Sequence, residues 1–316
     1  MRYLSVDGLP RVSRVGLGTM RFGERGWDPA RSGMLVRRAL ELGVTVFDTA
    51  EGYGGGRSER LLGEALGERR DEVLVTTKFL PLAPLPRVTV AHARASRERL
   101  GLARIPLYLL HMPSPLPDPV VMSGLRRARE QGIVHSVGVS NYGLRSWRSA
   151  EAALGAPVVA NQVLFNLLHR RAASDQVPWA AERERLVIAA SPLAQGMLGA
   201  GYDEDHPPPH RGIRRVALAS SAFVPARENL RRAAPLMALL RELAAAHGAT
   251  PSQISLAWLL HHPAVLVIPG ASSLEQLESN VAAADIELAG AEHAALTAEA
   301  ERLRPLNPVA ALLPRR

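Results

Sequence analysis

Val15-Gly16-Leu17-Gly18-Thr19-Met20-Arg21-Phe22-Gly23 is a short apolar run that breaks at glycine. In an open, doubly wound nucleotide-binding sheet, the first strand is followed by Gly-x-Gly-x-x-Gly, whose glycines let the backbone approach a pyrophosphate. Here Gly18 to Gly23 follows the strand without that spacing. Similar runs recur at Val44-Phe47, Val73-Thr76, Leu107-Leu110, Ser136-Val139, Val158-Ala160, Leu186-Ala189 and Val265-Ile268. They are short and apolar, as parallel strands buried on both faces are. Amphipathic helical stretches lie between them; the first starts at Asp28-Pro29 and stops before Gly43, with the expected punctuation. Repeated strand–helix units imply parallel sheet with right-handed crossovers. About eight of them select a closed (β/α)8 TIM-type barrel in a single domain, residues 1–316. Arg2 to Ser13, turning at Asp7-Gly8, reads as an N-terminal β-hairpin. Gly201 to Pro225 breaks the rhythm, with Asp203-Glu204-Asp205-His206-Pro207-Pro208-Pro209 and no periodicity, and reads as a long irregular loop after barrel strand 7.

Composition excludes several classes of function. With no Cys there is neither a disulfide framework nor a thiolate metal site. The start of the chain lacks a signal-peptide core, and no run nears the roughly 18 apolar residues of a membrane span. The expectation is a cytoplasmic protein with no membrane partner. The net charge of +8 comes from scattered arginines such as Arg37-Arg38, Arg126-Arg127 and Arg231-Arg232, which are not interleaved with aromatics. That pattern is a solvated face, not a nucleic-acid surface. Lysine usage is more telling. Lys78 is the sole Lys among 316 residues, so one position asks for a compact ammonium that Arg cannot replace.

In such a barrel, the active site lies where strands end. Reading off strand ends gives Asp48, Lys78 and His111, with Tyr53 in the loop after Asp48. Singly, the Asp reads as a helix cap, the His as a structural group and Tyr53 as turn packing. At successive strand ends they share one mouth. Reduction of a carbonyl builds negative charge on oxygen, which must then receive a proton. A Tyr hydroxyl titrates near ~10, and a neighbouring ammonium favours its phenolate. At ~3 Å and an effective dielectric of ~20, the attraction is ~5 kcal/mol before desolvation. The expectation is that Lys78 lowers the Tyr53 pKa, that Asp48 holds Lys78, and that His111 donates to the carbonyl oxygen as a neutral imidazole.

With these residues in place, the sequence resembles the aldo-keto reductase superfamily over essentially its whole length. The resemblance is carried by Phe47-Asp48-Thr49-Ala50, Tyr53-Gly54, Ser58-Glu59, Thr77-Lys78, Leu110-His111 and Gly138-Val139-Ser140-Asn141. Asn161-Gln162, Ser191-Pro192-Leu193 with Gly196, and Ile268-Pro269-Gly270 with Asn280 continue it. It implies a barrel that binds NADP(H) across its mouth, and the tetrad Asp48, Tyr53, Lys78 and His111. It further implies that Ser140, Asn141 and Gln162 hold the nicotinamide carboxamide, with Gly18, Thr19, Met20 and Asp48 also in contact. Ser191, Pro192, Leu193, Gln195 and Gly196 would line the pyrophosphate, although Ser191-Pro192 also reads as a plain helix N-cap. Ile268, Gly270, Ser272, Ser273, Gln276 and Asn280 would surround the adenosine and its 2′-phosphate, at the N-terminus of a helix starting at Ser273.

The chain departs from the family pattern at Ala190, where relatives carry a ring that stacks on nicotinamide, and at Ser279, where many carry Glu. Around the 2′-phosphate it offers hydroxyls and amides; Arg214 or Arg215 would have to supply a charge. NAD(H) is therefore the alternative coenzyme. Phe22, Trp27, Tyr53, Phe79, His111 and Met112, with Met20, are the expected substrate contacts. The expected activity is NADP(H)-dependent reduction of an aldehyde or ketone to the alcohol, with Tyr53 as proton donor. The alternatives are an NAD-dependent sugar or alcohol dehydrogenase, and a coenzyme-binding regulatory subunit similar to potassium-channel β subunits. Oligomeric state stays open.

Overall fold

Alternation along each strand builds the barrel. In the computed structural model, which describes residues 1–6, 8–199, 201–206 and 227–303, eight parallel strands follow an antiparallel hairpin. The hairpin pairs β1 (Tyr3–Leu4) with β2 (Val12–Ser13). The barrel strands are β3 (Leu17–Gly18), β4 (Val46–Asp48), β5 (Leu74–Phe79), β6 (Ile105–Leu110) and β7 (Val134–Ser140), then β8 (Val158–Leu164), β9 (Leu186–Ala190) and β10 (Val265–Val267). They are hydrogen-bonded in sequence order. Parallel bridges from Val15 to Val267 and from Gly18 to Gly270 close the ring between first and last strands. At Gly18 the seam is too tight for a side chain, since a Cβ would lie 2.7 Å from the Ile268 carbonyl oxygen.

Successive residues point to opposite faces of a strand. Val46, Leu74, Leu107, Leu109, Leu186, Ile188, Leu266 and Ile268 fill the lumen, together with Val6 and Val12 of the hairpin region. Their neighbours Phe47, Val75, Tyr108, Leu110, Val187 and Val267 face outward into a larger apolar layer shared with the helices. By the same parity Asp48, Thr76 and Lys78 point inward, one step above the luminal apolar layer. Between β7 and β8 the register slips: Val137 faces Val158, but Gly138 faces Ala160. Val159 is the extra residue of this bulge, and both Val159 and Ala160 join the luminal cluster. The slip turns Gln162 inward and Asn161 outward, where Asn161 bonds Gln176 and the Tyr142 carbonyl.

The outer ring comprises α1 (Pro29–Glu41), α2 (Arg57–Leu66), α3 (Pro86–Leu100), α4 (Asp118–Glu130), α5 (Leu144–Leu154) and α6 (Ala172–Glu182). It continues with α7 (Arg227–Ala246), α8 (Pro251–Leu260), α9 (Leu274–Ala282) and α10 (Gly290–Arg302). The predicted start and stop of α1 are present: Asp28 accepts the Ala30 N–H at 3.0 Å, and Gly43 has φ +80. Residue 7 of the expected turn lies outside the described residues, as do 207–225 of the expected irregular loop, Arg214 and Arg215 included; 201–206 form no regular element.

Candidate active site

Lys78 is fully buried, and its ammonium is saturated. Nζ donates to both Asp48 carboxylate oxygens, at 2.9 and 2.8 Å, and to the Thr49 carbonyl at 2.7 Å. The fourth neighbour is the Tyr53 hydroxyl, at 3.4 Å. Asp48 is held from two further sides, by Thr76 Oγ1 and by Gln162 Nε2, each at 2.7 Å. Burial acts against the Lys78 charge, but Asp48 and Tyr53 outweigh it, and its pKa is raised. The ammonium is therefore permanent.

For Tyr53 the sequence-based expectation needs correction. Burial of the hydroxyl pushes its pKa up, and the opposing pull of Lys78 does not overcome that; Asp48 adds to the rise. The reason is geometric, because the Lys78 charge is already committed to a carboxylate at shorter range than the phenol. Resting Tyr53 holds its proton. His111 lies edge-on to Tyr53, ring centroids 5.6 Å apart at 82°. Burial and then the nearby Lys78 lower its pKa to about 4, so it is neutral at physiological pH as expected. Its buried Nδ1 has no hydrogen-bond partner among the described residues.

Several supporting residues had been given no role in the site from the sequence. Gly23 and Gly54 bring two loops into backbone contact under Tyr53; Gly54 has φ +63, and a Cβ on Gly23 would lie 2.5 Å from the Tyr53 carbonyl carbon. Ser58 ties these loops together, donating to the Thr19 carbonyl at 2.8 Å and meeting the Thr19 and Thr49 hydroxyls at 2.9 Å. Buried Glu59 accepts from Thr77 at 2.6 Å and pairs with Arg99. Glu51 accepts the Leu80 N–H at 2.9 Å and meets His92 Nδ1 at 2.6 Å, pinning the Tyr53 loop to α3. Strand pairing carried the signal for Thr76, which sits opposite Asp48. Nothing in local sequence marked Arg99 or His92.

The residues expected to hold a coenzyme lie along the same rim. Ser140 is buried, and its hydroxyl has no partner among the described residues, a site that asks for one from outside the protein. Asn141 sits at φ +57 with its N–H on the Gln162 carbonyl at 2.8 Å. Gln162 spends an amide N–H on Asp48, which fixes its plane. Ser191, Ala194, Gln195 and Gly196 all have positive φ, between 47 and 94. Such left-handed non-glycine residues are strained and typical of ligand-holding loops. Pro192 and Leu193 complete that loop. Among the described residues no α-helix starts here; a short 3-10 turn, Ala194–Gly196, does. The helix-cap reading of Ser191-Pro192 therefore falls. At α9 the cap is present: Ser273 accepts the Gln276 N–H at 3.3 Å, and Gln276 reaches back to Ser272 N and Oγ. Asn280 donates to the Gly270 carbonyl at 3.4 Å. Gly18, Thr19 and Met20 close the rim, whereas the Ile268 side chain faces the luminal core.

The expected substrate wall is regrouped. Phe22 stacks on Trp27, and Phe79 on Tyr108, all buried in the outer apolar layer. Phe79 has the wrong strand parity to face the mouth: Lys78 points in, so Phe79 points out. Only Met112 of the expected wall outside the tetrad is exposed. Among the described residues no cluster of His, Cys, Asp and Glu could hold a metal ion. No described helix is long and apolar enough to cross a membrane.

Comparison with known proteins agrees with this architecture. The family model described as "Aldo/keto reductase family" matches residues 14–301. An uncharacterized oxidoreductase of Mycobacterium tuberculosis is 52% identical over 314 residues, covering 97% of this chain and 95% of that one. The methylglyoxal reductase YeaE of Escherichia coli is 30% identical, covering 93% of each. The crystal structure of an aldo/keto reductase from Klebsiella pneumoniae in complex with NADP and acetate superposes with a TM-score of 0.75 at 28% identity, over 96% of this chain and 99% of the other. By fold and sequence alike, this chain belongs to the aldo/keto reductase family.

Proposed function

We propose that this chain is an NADP(H)-dependent reductase of aldehydes or ketones, with Tyr53 as the proton donor. The observation that carries this reading is the Tyr53 hydroxyl, 3.4 Å from a buried ammonium that is itself locked onto Asp48. When bound, the coenzyme supplies a hydride from nicotinamide C4 to the carbonyl carbon. The rim residues fit it: the partnerless Ser140 hydroxyl, the fixed amides of Asn141 and Gln162, and the strained loop Ser191–Gly196. Neutral His111 donates a hydrogen bond to the carbonyl oxygen and orients it. As charge gathers on that oxygen, Tyr53 transfers its proton and the alcohol forms; the phenolate left behind is stabilised by Lys78 until solvent restores the proton. The K. pneumoniae relative was crystallised with NADP, which supports the coenzyme assignment.

A second coenzyme reading has its own observation. The N-terminus of α9 presents Ser272, Ser273 and Gln276 with the carboxylate of Glu275, and no cation among these residues. A 2′-phosphate would meet hydroxyls without charge neutralisation there, which favours some use of NADH. Coenzyme oxidation measured with NADPH and NADH across aldehydes, ketones, aldoses and methylglyoxal tests both readings. Turnover with NADPH is expected. Stoichiometric coenzyme binding without turnover on any carbonyl would replace the enzyme by a coenzyme-binding regulatory subunit.

A further inference from the structure

The loops that follow β5 and β6 start beside Lys78 and His111, at the strand ends where the mouth opens. Four large apolar side chains are exposed among the described residues: Met34 at 39%, Leu82 at 75%, Leu85 at 53% and Met112 at 42%. Three of the four belong to these two loops. The fourth, Met34, is on α1. Isolated exposed apolar residues need no explanation, but three gathered on the two loops that leave these strand ends do.

The geometry joins this group to the chemistry. Gly52 precedes Tyr53, and the space above it is bounded by Leu80 Cδ1 at 3.6 Å and His111 Cε1 at 4.0 Å from where a Cβ would stand. Leu80 begins the first loop, and its N–H is anchored on Glu51. From there Leu80-Pro81-Leu82-Ala83-Pro84-Leu85 contains no polar side chain. Two tight turns shape it, Leu82 N–H to the Leu80 carbonyl at 2.9 Å and Leu85 N–H to the Ala83 carbonyl at 2.8 Å. The second loop, Met112-Pro113-Ser114-Pro115-Leu116-Pro117, has one hydroxyl, and Ser114 uses it to accept the Leu116 N–H at 3.0 Å. Prolines fix φ in both loops, so the apolar side chains are displayed at little further entropic cost.

We infer that this mouth selects carbonyl compounds bearing an extended apolar substituent, an alkyl chain or an aromatic ring, over polyhydroxylated sugars. The inference rests on the reductase reading above and narrows its substrate class. An aldose laid across these loops would surrender water from its hydroxyls and find no side-chain partner in exchange. An alkyl chain would instead cover Leu82, Leu85 and Met112. Each methylene seated there is worth up to about fourfold in affinity, the equivalent of ~0.8 kcal/mol.

The test is kcat/KM with NADPH for straight-chain aldehydes from propanal to decanal, and for xylose and glucose. The expected result is a rise of roughly two- to fourfold per methylene until the chain outgrows the loops, carried by KM, with the sugars at least about a hundredfold below the best aldehyde. Leu82→Ser and Met112→Ser should each flatten the rise, while Met34→Ser on α1 leaves it as in the unaltered chain. Turnover that is independent of chain length, the same slope in Leu82→Ser and Met112→Ser, or sugars preferred over alkyl aldehydes would each overturn the inference and leave the reductase reading standing. No coenzyme oxidation with any aldehyde, propanal included, would overturn both.

Discussion

One ammonium organises the site. Lys78 reaches both Asp48 oxygens, the Thr49 carbonyl and the Tyr53 hydroxyl from a slot closed to water. A planar guanidinium is longer and forks in one plane, so it cannot reproduce these directions. Lys78→Arg should therefore cut kcat by about a hundredfold or more while leaving coenzyme affinity near that of the unaltered protein; steady-state kinetics with a coenzyme titration would show it, and near-normal kcat would contradict the role given to Lys78. His111 makes a second prediction. Its pKa of about 4 keeps the imidazole neutral down to that value. The rate should show no midpoint near 6.5, an ordinary imidazole value, as pH falls from 7 to 5. A pH profile with an acid limb centred near 6.5 would mean that His111 is charged in the working enzyme.

Elements deliver these side chains through parity and pairing. Asp48, Thr76 and Lys78 face inward on adjacent strands because alternation leaves no other choice, and for Asp48 and Lys78 this was legible in the sequence: an apolar run, then a polar residue with chemistry. The bulge at Val159 was not legible, since it depends on how β7 and β8 meet, yet it decides that Gln162 and not Asn161 reaches Asp48. Parity also explains the misplaced Phe79. Sequence position put it beside Lys78, whereas strand geometry puts it on the opposite face. The Glu59–Arg99 pair links α2 to α3 behind β5, with Glu59 fully buried. Arg99→Ala would leave that carboxylate without its cation and should cost about 3 kcal/mol of stability. Urea unfolding measures this, and adding Glu59→Gln should restore part of the loss; an unchanged midpoint in Arg99→Ala would show the pair to be dispensable.

Across the whole molecule, the barrel was readable because closed α/β folds repeat one unit, and eight short apolar runs survive single errors of boundary. The substrate rim was not. Large aromatics near the site suggested a wall, but Phe22, Trp27 and Phe79 are core, and the exposed apolar surface comes from proline-bound leucines in loops without periodicity. His262 packs between Phe165, Trp258 and His293, with ring centroids 5.3 to 5.5 Å away. Burial, and then His293, His261 and Arg14, lower its pKa from 6.5 to about 4. Between those values the unfolded chain binds more protons, so stability present at neutral pH is lost as pH falls through 6.5 towards 4, by up to roughly 3 kcal/mol from this residue. His262→Phe should flatten the fall of Tm over that window; an equally steep fall in the variant would remove His262 as its source.

In the proposed reaction Tyr53 gives the proton while other residues hold the coenzyme. Tyr53→Phe separates the two roles, with NADPH affinity by fluorescence titration and aldehyde reduction measured on the same preparation. Unchanged affinity and a reduction rate lower by about 10²- to 10⁴-fold are expected. Undiminished reduction by the phenylalanine variant would contradict that role of Tyr53.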